Sequence, residues 1–390
     1  MRPGSEPGRR LRVVTLSDHF MRAGGAEVLS INIAQRLDPK RFESIYCASR
    51  FDPEAPSERQ RALLEEMRAA GVRVVGLGRT ARLALWAWRP LVALLRRERV
   101  DVIHSHKFGS NVWAVLLGRL AGVPAIVAHE HTWSFEGQPV RRLLDRHLIA
   151  RGSDAFVAVS HEDRRRMIEI ERIDPADVVF VPNGIDELPP GDGARVRAEL
   201  GIEPDAPVIG SVAVLRPQKA LDVLVRAAAR LLPDHPRLRV VVAGVGPLRE
   251  SLEELARELG LGDALHLLGQ RSDVADVLAA LDVAVNTSSF EGSPLAVMEY
   301  MEAGLPVVAT RVGGVPDLVE DGVNGLLVEP GDPAATAAAV GSLLSDRARA
   351  RAMGQRGRAR RRAEFSLDGT VRTFEAMYEE LVARSPRRRA

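Results

Sequence analysis

The chain has 390 residues, 46% of them hydrophobic and 27% charged, and its net charge is +2. It is therefore long enough for two domains and too evenly charged to draw nucleic acid by bulk attraction. Cys47 is its single cysteine, which excludes an internal disulfide and fits a reducing compartment. The first ten residues lack the apolar core of a signal peptide. The longest apolar run, 83–95, is broken by Arg89 and Pro90 and is too short to span a bilayer, so a cytoplasmic protein is expected.

From Leu11 onward, short apolar runs alternate with longer helical patterns. Strands are predicted at 12–17, 43–49, 72–77, 101–104, 125–129, 154–160 and 178–181, and again at 208–214, 239–243, 265–268, 282–286, 306–309 and 325–328. Such alternation predicts parallel sheets covered on both faces. A polar stretch rich in Pro and Gly, 183–205, separates the two series. Two doubly wound domains follow, 1–183 and 184–366. The helical pattern at 367–384 has no strand after it, and the arginine-rich end of the chain reads as a solvated tail.

Several motifs fall at the carboxyl ends of these strands, where open α/β sheets place their ligands. After the first strand, Gly24-Gly25 lets the backbone turn and approach a ligand with no Cβ in the way. The stretch 79–99 carries Arg79, Arg82, Arg89, Arg96, Arg97 and Arg99 with Trp86 and Trp88. It reads first as an arginine-coated surface helix and second as a helix lying in a membrane interface. His104 and His106 form a His-x-His pair of the metal-ligating kind, but no carboxylate or cysteine set completes a shell, so they are expected to shape a loop. His129-Glu130-His131 ends the next strand. In the second half, Arg216 and Lys219 sit where a diphosphate would be held, and lysine is scarce, since only Lys40, Lys107 and Lys219 occur among 54 basic residues. Gly244-Val245-Gly246 is a weak match to a dinucleotide fingerprint because Arg249 replaces the third glycine.

The most informative stretch runs from 286 to 314. Ser293 suits an N-cap and Pro294 the first helical position, predicting a helix that stops at Gly304 before Pro306. Its apolar face reads as enclosed, so Glu299 within it needs a partner. Glu291 lies in the loop before the helix. Two carboxylates thus flank the free N–H groups of a helix start, which form an anion site, and the set describes a pocket for a nucleotide sugar.

Glu291 and Glu299, with Gly292, Pro294, Gly304 and Pro306-Val-Val-Ala-Thr, resemble the signature of family 4 of the retaining glycosyltransferases. The resemblance implies the GT-B fold: two Rossmann-like domains facing a cleft, with the last helix, 367–390, crossing back to the first. It implies that Glu291 meets the donor hexose and Glu299 the ribose. Gly292, Ser293, Pro294, Leu295, Gly24, Gly25, Gly244, Gly246 and Arg271 would line the donor site, the Gly24-Gly25 loop alternatively serving the acceptor. His131, with His129 as the alternative, would lie against the donor sugar or the acceptor. Lys219 matches the family's lysine. The Gly-Arg pair that usually precedes it is Ala213-Val214 here, so Arg216 is expected to replace that arginine. The implied enzyme moves a hexose from a UDP- or GDP-sugar to a glycan, lipid or small-molecule acceptor. It uses no metal or other cofactor and works in the cytoplasm; the second reading of 79–99 would add peripheral contact at the inner face of the membrane. The alternatives are an epimerase or hydrolase of the same fold, or a non-catalytic nucleotide-sugar-binding protein.

Overall fold

The computed structural model describes residues 9–22, 24–80, 85–132 and 138–386. Two compact units result, Met1–Gly184 with Leu367–Ala390, and Ile185–Ser366. Each is built on one parallel sheet. The first unit holds β1 (Leu11–Ser17), β2 (Phe42–Ala48), β3 (Arg73–Gly76), β4 (Val102–His106), β5 (Ala125–His129), β6 (Ala155–Ala158) and β7 (Val178–Phe180), in the order β3-β2-β1-β4-β5-β6-β7. The second holds β8 (Val208–Val212), β9 (Arg239–Ala243), β10 (Leu265–Gly269), β11 (Val283–Asn286), β12 (Val307–Thr310) and β13 (Gly325–Val328), in the order β10-β9-β8-β11-β12-β13. In both, the chain winds outward on one side of its first strand and then returns on the other. The switch falls between β1 and β4 and between β8 and β11, and a doubly wound sheet binds its ligand outside that point.

Strand periodicity explains why these runs are so apolar. In the second unit Ile209, Val240, Val242, Val283, Val285 and Val308 enter one core, while their neighbours Val208, Val241, Ala243, Ala284 and Val307 enter the other. With both faces covered, successive positions on both sides of the strand are mostly apolar. In the first unit Val13, Val102, Val127 and Val157 pack under the last helix, Leu367–Arg384, through Val371, Phe374, Tyr378 and Val382. The opposite face, with Val14, Leu16, Ile103 and Ile126, meets Trp88, Leu91, Ala114 and Val115 of the helical layer there. The last helix is also pinned by charge, since Glu375 accepts from Asp38 N at 2.7 Å and pairs with Arg41 at 3.0 Å.

Three local features differ from the expectations. β4 runs two residues further, to His106, so His104 and His106 are buried strand residues and not loop residues. The polar stretch 183–205 includes a short helix, Gly193–Glu199, whose first turn is capped by the Asp192 side chain. The helix after β11 is Leu295–Glu302. It starts one residue late because Pro294, at φ −72° and ψ 114°, is extended and takes the cap position. Arg82 and the last four residues lie outside the described residues. Among the described residues no helix is long and apolar enough to cross a membrane.

Candidate functional site

At the switch point of the second sheet, the loops after β8 and β11 are tied to each other. Gln218 O accepts from the Ser289 N–H at 2.8 Å, Gln218 Nε2 donates to Phe290 O at 2.8 Å, and Thr287 Oγ1 donates to Lys219 O at 3.0 Å. The result brings together the two groups singled out by sequence. Lys219 Nζ and Ser288 Oγ each donate to Glu291 Oε1, both at 2.6 Å. Glu291 is buried, and its second oxygen, Oε2, makes no hydrogen bond among the described residues. With Lys219 and Ser288 both donating to Oε1, one carboxylate oxygen is left to accept from a hydroxyl.

The glycine turn after β12 supports this pair. Gly313 has φ +49°, and a Cβ there would lie 1.6 Å from Glu291 O. No side chain fits between the two loops. Thr310 Oγ1 donates to Ser288 O at 2.6 Å from the same strand end.

Glu299 was expected to need a partner, yet its carboxylate has no ion pair or hydrogen bond among the described residues. It is partly exposed, and the protein packed around it pushes its pKa up to about 7 from an ordinary 4.5. A raised carboxylate pKa means that the folded state holds the proton more tightly than the unfolded one. Stability is then full below 4.5 and falls as the pH rises through about 7. Glu299→Gln should accordingly melt with the parent at about pH 4 and above it at about pH 8, in thermal unfolding followed across that range. A constant difference at all pH values would contradict the assignment.

The remaining donor-side candidates divide. Gly292 and Pro294 are buried, Ser293 and Leu295 partly exposed, all beside Glu291 in the chain. Gly244 and Gly246 pack the loop after β9 onto the end of β8, where a Cβ would lie 1.9 Å from Ala213 O and 2.3 Å from Leu215 O. Arg216 is exposed at the same strand end. Arg271 is placed apart, after the edge strand β10, and its guanidinium is engaged by Glu199 at 2.5 and 2.9 Å and by Asp273 at 2.8 Å.

At the switch point of the first sheet, Gly24 caps the helix Gly25–Arg36, and Glu27 in that helix pairs with Lys107 just after β4. Lys107 has φ 73° and ψ 154°, a backbone region that is nearly confined to glycine, and strain of this kind collects at functional positions. Its N–H is held by His129 O at 2.9 Å.

Beside it lies a stack of four imidazoles that sequence analysis saw only as two separate pairs. His106 on β4 is opposite His129 at the end of β5 in register, and with His104 two residues back and His131 just past β5 the four rings gather at one place. His106 Nδ1 and His131 Nε2 are 2.9 Å apart, and His104 Nε2 and His129 Nδ1 are 3.1 Å apart. Burial pushes His129 down to about 3 and the other three well below 6.5, so the rings are neutral. Nitrogens of His104, His106 and His129 lie within 4.8 Å of one another, a spacing a metal could bridge. The His104 and His129 nitrogens are also at hydrogen-bond distance from each other, with one ring donating and the other accepting when both are neutral. Two acidic neighbours went unread. Burial pushes Glu130 up to about 7 and Asp145 up to about 8, with Arg141 beside both. Neither has a spacing signal, because burial alone sets them apart.

The second unit matches the model of the glycosyl transferases group 1 over residues 193–360, and the first matches that of glycosyltransferase family 4 over 23–187. The chain is 34% identical to a D-inositol 3-phosphate glycosyltransferase of Geodermatophilus obscurus, covering 76% of this chain and 72% of that protein. It is 35% identical to the one of Stackebrandtia nassauensis, over 74% and 70%. HepE of Anabaena, solved with UDP and glucose, superposes with a TM-score of 0.81 at 21% identity, over 95% of this chain and all of that one. Sucrose-phosphate synthase of Thermosynechococcus elongatus gives 0.82 at 23%, over 96% and 100%. At these identities the solved structures speak for the fold.

Proposed function

The chain belongs to the group 1 glycosyltransferases, family 4, and from that membership we propose that it moves a hexose from a UDP- or GDP-sugar to an acceptor hydroxyl with retention at the anomeric carbon. One observation carries this reading: the Lys219–Glu291 pair at the switch point of the second sheet, with one carboxylate oxygen left free. Glu291 Oε2 accepts from a hexose hydroxyl and Glu299 from the ribose. Lys219, the exposed Arg216 and the first N–H groups of the helix Leu295–Glu302 face the diphosphate. As the bond from C1 to the phosphate oxygen breaks, charge grows on the leaving phosphate, and fixed cations stabilise it in the role that a divalent metal plays elsewhere. The acceptor oxygen bonds to C1 from the face the nucleotide leaves, and its proton passes to the departing phosphate.

The relatives' names support a phosphorylated polyol as the first acceptor to try, ahead of glycan and lipid-linked ones. Incubation with radiolabelled UDP- and GDP-hexoses, each acceptor and EDTA should give labelled product. Loss of transfer in EDTA would overturn the metal-independent mechanism, and free sugar or an isomerised donor without acceptor would replace transfer by hydrolysis or epimerisation.

We also propose that the first unit meets an anionic membrane surface beside the helix Arg89–Arg97. Trp86 is 71% exposed there, and Leu120 on the adjoining helix Phe108–Ala121 is 61% exposed. Arg89, Arg96, Arg97 and Arg99 are exposed around them, a match for anionic headgroups. Arg79 is not part of this surface, because it is buried against Asp18 and Trp88. The protein should sediment with phosphatidylglycerol vesicles and not with phosphatidylcholine ones, and Trp86→Ser with Leu120→Glu should release it. Equal behaviour towards both vesicles would sink the proposal.

A further inference from the structure

Three buried side chains of the first unit are joined in a line. The Tyr378 hydroxyl, on the helix Leu367–Arg384, lies 2.6 Å from His104 Nδ1, and His104 Nε2 lies 3.1 Å from His129 Nδ1. All three are sealed from solvent. Burial keeps Tyr378 a phenol and both histidines neutral.

The direction of the protons follows from counting donors. Tyr378 has no second hydrogen-bond partner among the described residues, so its proton goes to His104 Nδ1. A neutral imidazole carries one N–H and one lone pair. His104 therefore holds its hydrogen on Nε2 and gives it to His129 Nδ1, and His129 holds its own on Nε2. That atom is buried with no hydrogen-bond partner. Reversing the line would strand two groups, the tyrosine proton and a bare His129 nitrogen, where the forward direction strands one. Each stranded group costs about 1–3 kcal/mol.

His129 also occupies a position from which its ring matters. It stacks on His131, with centroids 4.2 Å apart and planes within 18°, and its carbonyl holds Lys107 and Asn111. We propose that Tyr378 and His104 are positioning residues for sugar transfer: they fix the tautomer and ring of the buried His129, and through it hold the partly exposed His131, which stacks on that ring at the carboxyl end of β5, against the bound substrate. The substrate in this statement comes from the glycosyltransferase reading above, whereas the tautomer comes from the geometry alone.

Nitrogen chemical shifts of the full chain labelled with 15N-histidine separate protonated from bare ring nitrogens. Wild-type His129 should show a protonated Nε2 and a bare Nδ1. In Tyr378→Phe the line loses its direction, and His129 should become a mixture of both forms. His104→Gln keeps an oxygen for Tyr378 and an N–H for His129, so it should retain the wild-type pattern, which His104→Leu should lose. In the transfer assay, Tyr378→Phe and His104→Leu should lower kcat about tenfold with the donor KM changed by less than about twofold, and His104→Gln should recover most of the rate. A bare Nε2 on wild-type His129, or an unchanged pattern in folded Tyr378→Phe, would overturn the line itself. The expected shifts with parental rates in Tyr378→Phe would overturn its part in transfer. Absence of transfer from the wild type with any donor and acceptor would count against the glycosyltransferase reading and leave the tautomer result intact.

Discussion

Glu291→Gln is expected to lower kcat/KM for sugar transfer roughly a hundredfold to a thousandfold, the loss typical when one preorganised polar group at a reacting centre is removed. The substitution preserves shape and an oxygen for Ser288 and Lys219, which donate to Oε1 at 2.6 Å. What it removes is the negative charge and the free acceptor at Oε2. Lys219→Met should cost a similar factor, because the lysine both holds the carboxylate and faces the diphosphate. Since the two act as one unit, the double variant should be little worse than either single one. Steady-state rates with the nucleotide sugar varied supply the check. A Glu291→Gln enzyme at the parental rate would leave the pair as an ordinary buried ion pair.

Glu302→Ala is expected to lower stability by about 3–5 kcal/mol, and Tm by roughly 10 °C, without touching the site directly. Glu302 ends the helix that carries Glu299 and is 1% exposed. Its carboxylate meets Arg361 at 2.8 Å and Arg362 at 2.7 Å on the helix Arg347–Glu364. Arg361 is equally buried and keeps only Asp186 O, at 2.8 Å, once the glutamate is gone. The cost comes from leaving that guanidinium buried without the carboxylate it is paired with. Arg362→Ala provides the control, since its side chain is 41% exposed and such pairs are worth less than about 1 kcal/mol. Replacing both buried partners, as Glu302→Leu with Arg361→Met, should recover much of the loss. If Glu302→Ala melts no lower than Arg362→Ala, the buried pair is not what holds these helices together.

The sheets were legible because strands buried on both faces are mostly apolar from end to end. Runs such as 125–129 and 239–243 therefore marked their own ends to the residue. Glu291 and Lys219 were legible as separate residues, through their spacing from glycines and prolines. Their contact was not, because it joins positions 72 apart through loops that topology alone brings together. The histidines show the same limit. Each His-x-His pair was visible, but only the pairing of β4 with β5 makes four rings one network, and Tyr378 enters it from 274 residues away. Arg361 was invisible for another reason. Within 358–362 four of five residues are arginine, and nothing in the sequence distinguishes the buried one from its solvated neighbours.

The helix Leu367–Arg384 completes the first unit although it is made after the second, and this sets an order of maturation. When translation has reached residue 366, the first sheet has all seven strands, but Val13, Val102, Val127 and Val157 still lack the cover of Val371, Phe374 and Tyr378. The second unit, by contrast, is already whole in the nascent chain. The half of the protein that leaves the ribosome first is thus the half that finishes second, and until then its bare apolar face is what a chaperone would hold.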